Sequence, residues 1–318
     1  MKKVWKRNTI VKVSVKVPAT TANLGPGFDC FGIALSLYNV ITVEETVYPT
    51  TGLQINILGE EEEGTTSSLI PTNESNVIYK AIELLYNYTG QTPPALRINI
   101  QSNIPIAKGL GSSASVIMGG VLAANQLLGN PADEAALLSV ANEVEGHPDN
   151  ITPAMLGGFV LSSAEDDGSI IYRKVDWPQE WKLTVCIPDY ELATQISRSV
   201  LPQTVNFSDA AFNAKRCAMF IEALHSKDDE LMKYALTDRL HQPYRSRLVP
   251  GYNEIKENLK EIDILGTVIS GAGPSILVIS RNNVVEEIKE IVSSTWEVSG
   301  INSAIKTIDV DIKGAVIL

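Results

Sequence analysis

The stretch from Ala95 to Leu128 constrains the fold most, because it reads as a strand, a glycine turn and a helix in immediate succession. Leu96, Ile98 and Ile100 alternate with Arg97 and Asn99, the two-residue period of a half-buried strand. Ala114 to Leu128 is long, apolar and rich in helix formers, and Gly129-Asn130-Pro131 stops it. Between them lies Pro105-Ile106-Ala107-Lys108-Gly109-Leu110-Gly111-Ser112-Ser113-Ala114-Ser115. Gly109 and Gly111 leave the backbone bare where the helix starts, and Ser112, Ser113 and Ser115 add hydroxyls. Unpaired N–H groups and the positive end of the helix dipole make an anion site there, suited to a phosphate chain.

Known phosphate loops fit it poorly. A Walker loop ends in Gly-Lys-Ser/Thr, whereas Lys108 precedes the glycines. A dinucleotide fingerprint can be laid on Gly109, Gly111 and Ala114, but it needs a strand after the helix. Pro131-Ala132-Asp133-Glu134 opens another helix instead. A plain glycine turn with a serine cap is the bland alternative. The serine run, Pro105 and a second glycine segment near the amino terminus weigh against it.

That second segment follows Val11–Val17, where valine alternates with Lys12, Ser14 and Lys16 as a strand that Pro18 is expected to end. Gly25-Pro26-Gly27 is a sharp turn, flanked by Asn23 and Asp29, which read structurally as a turn former and a cap. Ile33–Val43 resumes as a strand. Glu60–Ser68 is a polar loop, and Asn76 caps a helix over Val77–Tyr88. Asp133 caps a helix to about Glu145, which runs into the bend Glu143-Val144-Glu145-Gly146-His147-Pro148-Asp149-Asn150. Further strands are expected at Gly157–Ser162, Lys182–Ile187 and Ala304–Val310. Helices are expected at Asp209–His225, Asp228–Leu240, from Val249-Pro250-Gly251-Tyr252 to Ile262, and at Val284–Glu297. Gly266–Ser280 reads as strand, glycine turn, strand. Strands and helices mix irregularly, which predicts α+β layers.

The 318 residues suffice for two domains, divided here as 1–165 and 166–318 at the turn Glu165-Asp166-Asp167-Gly168. A net charge of −11 argues against a nucleic-acid surface, so polyanion binding must be local. Cys30, Cys186 and Cys217 are odd in number and widely spaced, which argues for a reducing compartment. His147, His225 and His241 have no zinc spacing. The basic start Met1–Arg7 lacks an apolar h-region, and no apolar run reaches the roughly 18 residues of a membrane span. A cytoplasmic location is expected.

Pro18–Gly32, Pro105–Ser115 and Ile269–Ser275 together resemble the GHMP small-molecule kinases. Within them, Pro18-Ala-Thr-Thr-Ala-Asn-Leu-Gly-Pro-Gly-Phe-Asp-Cys-Phe-Gly-Ile-Ala-Leu35 looks like the homoserine kinase family. The Gly-Glu-His signature of galactokinases and mevalonate kinases is absent from this region. The resemblance implies a two-domain α+β fold, with an amino-terminal domain like ribosomal protein S5 domain 2 and a ferredoxin-like carboxy-terminal domain. It implies an ATP-dependent phosphotransferase acting on the side-chain hydroxyl of L-homoserine in threonine biosynthesis, with Mg2+; a homodimer is a further expectation of the family.

Carried over residue by residue, the turn Pro105–Ser115 cradles the ATP phosphates and Asn76 lies near the adenine. Ser112 and Glu145 match the magnesium side, with Glu143 an open alternative two residues away. Asp29 suits the ammonium of homoserine, and Arg198 and Arg245 suit its carboxylate through bidentate guanidinium forks. On their own these arginines read as surface residues. Asn23, His147 and Thr194 match further substrate positions. Asp149-Asn150 falls where mevalonate kinase carries a base, and orientation of the hydroxyl by Asn150 is preferred over proton removal by Asp149. The competing functions are another GHMP kinase, such as a mevalonate or diphosphocytidyl-methylerythritol kinase, and a non-catalytic nucleotide-binding regulator.

Overall fold

The computed structural model describes residues 11–46, 52–58 and 71–318. The polar stretch 60–68 and the basic start Met1–Arg7 lie outside the described residues. Elements follow in the order β1 (Lys12–Asn23), β2 (Gly27–Glu45), β3 (Leu53–Leu58), α1 (Val77–Tyr88), β4 (Leu96–Gln101), α2 (Ser112–Leu127), α3 (Glu134–Glu145), α4 (Pro148–Leu156), β5 (Phe159–Ala164) and β6 (Ile170–Val175). Then come β7 (Lys182–Pro188), α5 (Thr194–Ser199), α6 (Phe207–Ser226), α7 (Asp229–Ala235), α8 (Gln242–Arg245), α9 (Tyr252–Asn258), β8 (Ile264–Ile269), β9 (Ile276–Ser280), α10 (Val285–Val298), β10 (Ser303–Ile308) and β11 (Val316–Ile317).

Two sheets result. The first runs β11-β1-β2-β4-β3, with β5 also on β2 and β6 on β5; the second runs β10-β7-β9-β8. The alternation in β1 works as read: Val13, Val15 and Val17 face a core shared with Ile41, Val43, Ile98 and the buried faces of α1 to α4. Asn76 caps α1 and Asp133 caps α3, each side chain accepting a backbone N–H.

Pro18 does not end β1. Register shifts beside it, between Pro18 and Ala19, and the strand continues to Asn23. A bulge accommodates the missing N–H and bends the strand. Val17 accordingly packs in the first core, while Ala19 packs in a second. That second core lies between the sheets. It joins Leu24, Phe31 and Ile33 of the first unit to Leu183, Val185, Leu277 and Ile279 of the second sheet and to Phe220 and Leu224 of α6. The opposite face of the second sheet, with Cys186, Ile276 and Val278, packs on Tyr252, Ile288, Val292 and Trp296. Ile276, Leu277, Val278 and Ile279 of β9 therefore enter the two cores in alternation, which is why all four are buried.

The expected division between residues 165 and 166 falls inside a hairpin. Glu165 N donates to Ser169 O and Gly168 N to Glu165 O, and β6 pairs with β5 in the first sheet. The tail also returns there: β11 pairs with β1, and the buried Asp311 accepts from Lys313 N, Gly314 N and Tyr38 Oη. We propose that the first domain runs through Val175 and includes the tail. The bend expected at His147 is present, Gly146 ending α3 at φ 87°, but it opens directly into a helix, α4, with Pro148 in the first turn, where its missing N–H costs nothing. Among the described residues no helix is long and apolar enough to cross a membrane, and the three cysteines are free thiols.

The three glycine segments meet where the two units join. Gly109 has φ +75°, and a Cβ there would run into the carbonyls of Ser270 and Gly273. Gly109→Ala is expected to cost about 2–4 kcal/mol, from left-handed backbone plus overpacking. Chemical denaturation should show a lowered midpoint; an unchanged midpoint would mean that the segments do not depend on this contact.

Candidate active site

A cavity of about 320 Å³ opens at that junction. It is lined by the turn Pro105–Ser113 and by Asn23, Asp29, Asn76, Glu145, His147, Asp149, Asn150, Thr194, Arg198 and Arg245. Residues more than two hundred positions apart in the chain therefore share one site. Ala114 and Ser115 do not line it. Both are fully buried, and Ser115 Oγ donates to Ser112 O and pairs with Asn39 Nδ2. Asn39 also accepts from Asn103 N and Ile104 N, so it fixes the entry to the turn.

Gly111 caps α2 in the left-handed conformation at φ +62°, with no side-chain cap of its own. The N–H groups of the first turn of α2 are therefore turned toward the cavity without a capping oxygen. Ser112 and Ser113 lie at this end. Ser113 Oγ donates to Glu145 Oε2 at 2.7 Å. Burial raises the Glu145 pKa, and the Ser113 hydrogen bond offsets only part of that. Glu143 is exposed and outside the cavity, so Glu145 is the acid of this pair that faces it. Asn76 reaches the cavity wall, but its carboxamide is taken: Nδ2 donates to Pro71 O and Oδ1 accepts from Ile78 N.

At the other end, Asp29 and Arg198 form a bidentate pair at 2.7 and 3.2 Å. Asn23, at φ 71°, bridges the segments: Oδ1 accepts from Asp29 N and Nδ2 donates to Gly271 O. Arg245 is no surface arginine. It is 1% exposed, donates to Ser197 O and Gly271 O, and has no carboxylate partner among the described residues. Burial, and then the neighbouring Arg198, hold its pKa down to about 10. Phe28 lies under both guanidinium groups, 5.4 Å from Arg198 and 5.2 Å from Arg245. Burial and Arg198 hold His147 below its usual range, so its ring is disposed to be neutral. Thr194 starts α5, one turn before Arg198.

Between the two ends sit Asp149 and Asn150. Asn150 Oδ1 accepts from Thr20 Oγ1 at 2.7 Å, and Nδ2 donates to Asp149 Oδ1 at 3.1 Å. The carboxamide is thus locked, with one N–H and one lone pair to spare. Asp149 is 3% exposed, and its pKa is pushed up to about 7 by burial and then by Asp29 and Glu145. Thr20, Asn39 and Ser270 were not singled out in the sequence; Thr20 and Ser270 lie within the quoted glycine segments, and Asn39 is marked only by its polarity in an apolar strand. Among the described residues no cluster of three or more His, Cys, Asp or Glu could hold a metal.

Comparison with known proteins agrees with this architecture. The GHMP kinases N terminal domain matches residues 76–158, and the GHMP kinases C terminal domain matches residues 220–298. With both models matched, over 76–158 and 220–298, the chain is a GHMP kinase by family. The chain is 41% identical over 308 residues to a homoserine kinase of Microchaete diplosiphon, covering 97% of this chain and 98% of that one. It is 41% identical to one from Clostridium botulinum, covering 90% and 94%. The crystal structure of homoserine kinase from Cytophaga hutchinsonii superposes with a TM-score of 0.86 at 26% identity over the full length of both chains. A mevalonate diphosphate decarboxylase from Enterococcus faecalis, at 15% identity and a TM-score of 0.70, shares the fold. Within the GHMP kinases, the chain belongs to the homoserine kinase family.

The Asp149 environment has a pH signature. In the fold its pKa rises from the ordinary 3.8 to about 7, so the native state holds a proton that the unfolded chain releases. Stability from that proton is full below about pH 4 and is lost as pH rises through 7. The shift sets a ceiling of about 4 kcal/mol. The melting temperature of Asp149→Asn relative to the parent should therefore climb between pH 5 and pH 8. A difference that stays flat across this range would mean that the carboxyl is not strained.

Proposed function

We propose that this chain is an ATP-dependent homoserine kinase, which moves the γ-phosphoryl of ATP to the side-chain hydroxyl of L-homoserine. One observation carries the reading: the anion site at α2 and a site holding Asp29, Arg198 and Arg245 occupy the same cavity. A zwitterion needs both signs of charge, and Arg245 is a buried cation with no carboxylate partner among the described residues. The mevalonate-type alternative needs no ammonium partner, which leaves Asp29 unexplained. A non-catalytic regulator needs neither Glu145 nor a locked Asn150.

In this reading the turn Pro105–Ser113 binds the phosphates through its N–H groups, and Asp29 binds the ammonium while Arg198 and Arg245 bind the carboxylate. The Asp29–Arg198 pair gives way to two pairs with the substrate. Asn150 directs its free N–H or lone pair at the acceptor hydroxyl. That oxygen bonds to the γ-phosphorus as the bond to the β-phosphate breaks, and the proton leaves late, to the transferred group or to solvent. Asp149 fixes Asn150 and is not needed as a base. Glu145, with Ser112 and phosphate oxygens, fits a magnesium ion, which favours few carboxylates and hard oxygen donors; Ser113 holds Glu145 in place. When bound, the ion offsets charge on the β- and γ-phosphoryl oxygens.

A coupled assay of ADP release with homoserine, mevalonate, galactose and no acceptor tests the function. Turnover should require homoserine, and equal ADP release without acceptor would refute it. In the same assay Glu145→Gln should lose at least about a hundredfold in kcat. Asp149→Asn should lose less than about tenfold, because a true base contributes about 100- to 10,000-fold. A thousandfold loss with homoserine still bound would make Asp149 the base.

A further inference from the structure

A lysine in a glycine turn at a helix N-terminus is expected to reach for phosphate, as the Walker lysine does. Lys108 does something else. Its ammonium donates to Pro188 O at 3.0 Å and to Tyr190 O at 2.6 Å, carbonyls at the end of β7 in the second sheet. Asp189 and Glu191 flank those carbonyls, and their charge favours an ammonium there against the cost of burial. The backbone around Lys108 is tied the same way. Three successive carbonyls accept from the second unit: Ala107 O from Leu192 N at 3.0 Å, Lys108 O from Ser275 N at 3.3 Å, and Gly109 O from Ser270 Oγ at 2.7 Å.

The segment thus held leads directly to the substrate side. Two residues beyond Leu192, α5 begins with Thr194 and carries Arg198, which pairs with Asp29. Ser197 of the same helix donates to Ala272 O and accepts from Arg245 Nε. The only side chain of the turn that reaches across to this segment is that of Lys108, among the hydrogen bonds of the described residues.

We infer that Lys108 is a positioning residue, joining the phosphate turn to the segment that bears Thr194 and Arg198, and not a phosphate ligand. The inference rests on the kinase reading above. It separates two outcomes that a phosphate contact would reverse: loss of Lys108 loosens homoserine binding and leaves nucleotide binding nearly intact.

The test uses the full chain and the variants Lys108→Met and Lys108→Arg. MgADP affinity is measured by calorimetry, and homoserine KM and kcat are measured at saturating ATP. Lys108→Met should raise the homoserine KM about tenfold, the scale of one lost charge-assisted hydrogen bond. Its MgADP Kd should stay within about twofold and kcat should fall less than about threefold. Lys108→Arg, whose guanidinium can still bridge two carbonyls, should recover most of the KM. Circular dichroism checks folding. If Lys108→Met does not fold, Lys108→Gln, which keeps a donor for one carbonyl, should show the same pattern with a rise of about threefold. A tenfold rise in MgADP Kd overturns the inference, as does an unchanged homoserine KM. Absence of homoserine-dependent turnover in the parent chain would overturn the kinase reading and the coupling with it.

Discussion

Direct contact between backbones, where the turn Pro105–Ser113 meets Ser270–Gly273, is the constraint on which the rest of the structure depends. The approach is close enough that a side chain on Gly109 would strike the Ser270 carbonyl, and one on Gly111 would strike Thr20 Oγ1. Thr20 N also donates to Leu110 O, and Gly271 N to Ala22 O. Thr21 Oγ1 and Ser270 Oγ are 2.7 Å apart in a buried hydrogen bond. These contacts join the two sheets together with the apolar core between them and the Asp29–Arg198 and Lys108 bonds. They also leave the N–H groups of α2 pointing into the gap, because glycine caps the helix without a side chain. The anion site and the union of the domains therefore have one cause.

The charge distribution follows from that geometry. A chain of net charge −11 must bind a polyanion with few cations. In the proposed function the phosphate end relies on helix N–H groups, while the two cavity arginines lie at the other end, beside Asp29. Arg198 and Arg245 repel each other, and Phe28 beneath them and the carbonyls around Arg245 make their proximity tolerable. Asp149 is held at a cost in stability, the usual trade at a preorganised site. Its reward is a carboxamide, Asn150, whose orientation is set before any ligand arrives.

Much of this was legible from local patterns. The alternation of Val13, Val15 and Val17, the caps Asn76 and Asp133, and the run into Gly109 each express a rule that acts over a few residues, and each element formed where expected. Local rules failed where a distant contact decided. Pro18 looked like a strand end, but a bulge carries β1 onward to build the Asn23 turn. The bend at Gly146-His147-Pro148 formed as expected, and a local signal in it, proline in the first helical turn, marks the start of α4, a helix not expected there. Glu165–Gly168 is the turn expected there, but pairing of β5 with β6 makes it the tip of a hairpin within the first sheet. In the site, the residues named through the resemblance line one cavity apart from Ala114 and Ser115, whereas their burial and hydrogen bonds came only from packing. Nothing near Arg245 in the sequence marks it as buried. The partners of Lys108 lie 80 and 82 positions away in the chain.

The central claim is that one cavity recognises both charges of an amino acid beside the phosphates of ATP. Comparison of L-homoserine with 4-hydroxybutyrate, which lacks the ammonium, and 3-aminopropan-1-ol, which lacks the carboxylate, tests it directly. Each analogue keeps the acceptor hydroxyl. 4-hydroxybutyrate leaves Asp29 without the ammonium, and 3-aminopropan-1-ol leaves the buried Arg245 without a carboxylate, each a loss of roughly 1.5–3 kcal/mol. At saturating ATP, kcat/KM should fall at least about tenfold for 4-hydroxybutyrate and further for 3-aminopropan-1-ol, which forfeits two arginines. If either analogue were phosphorylated as efficiently as homoserine, Asp29 or the arginine pair would not be reading the substrate, and the account of the site would be wrong.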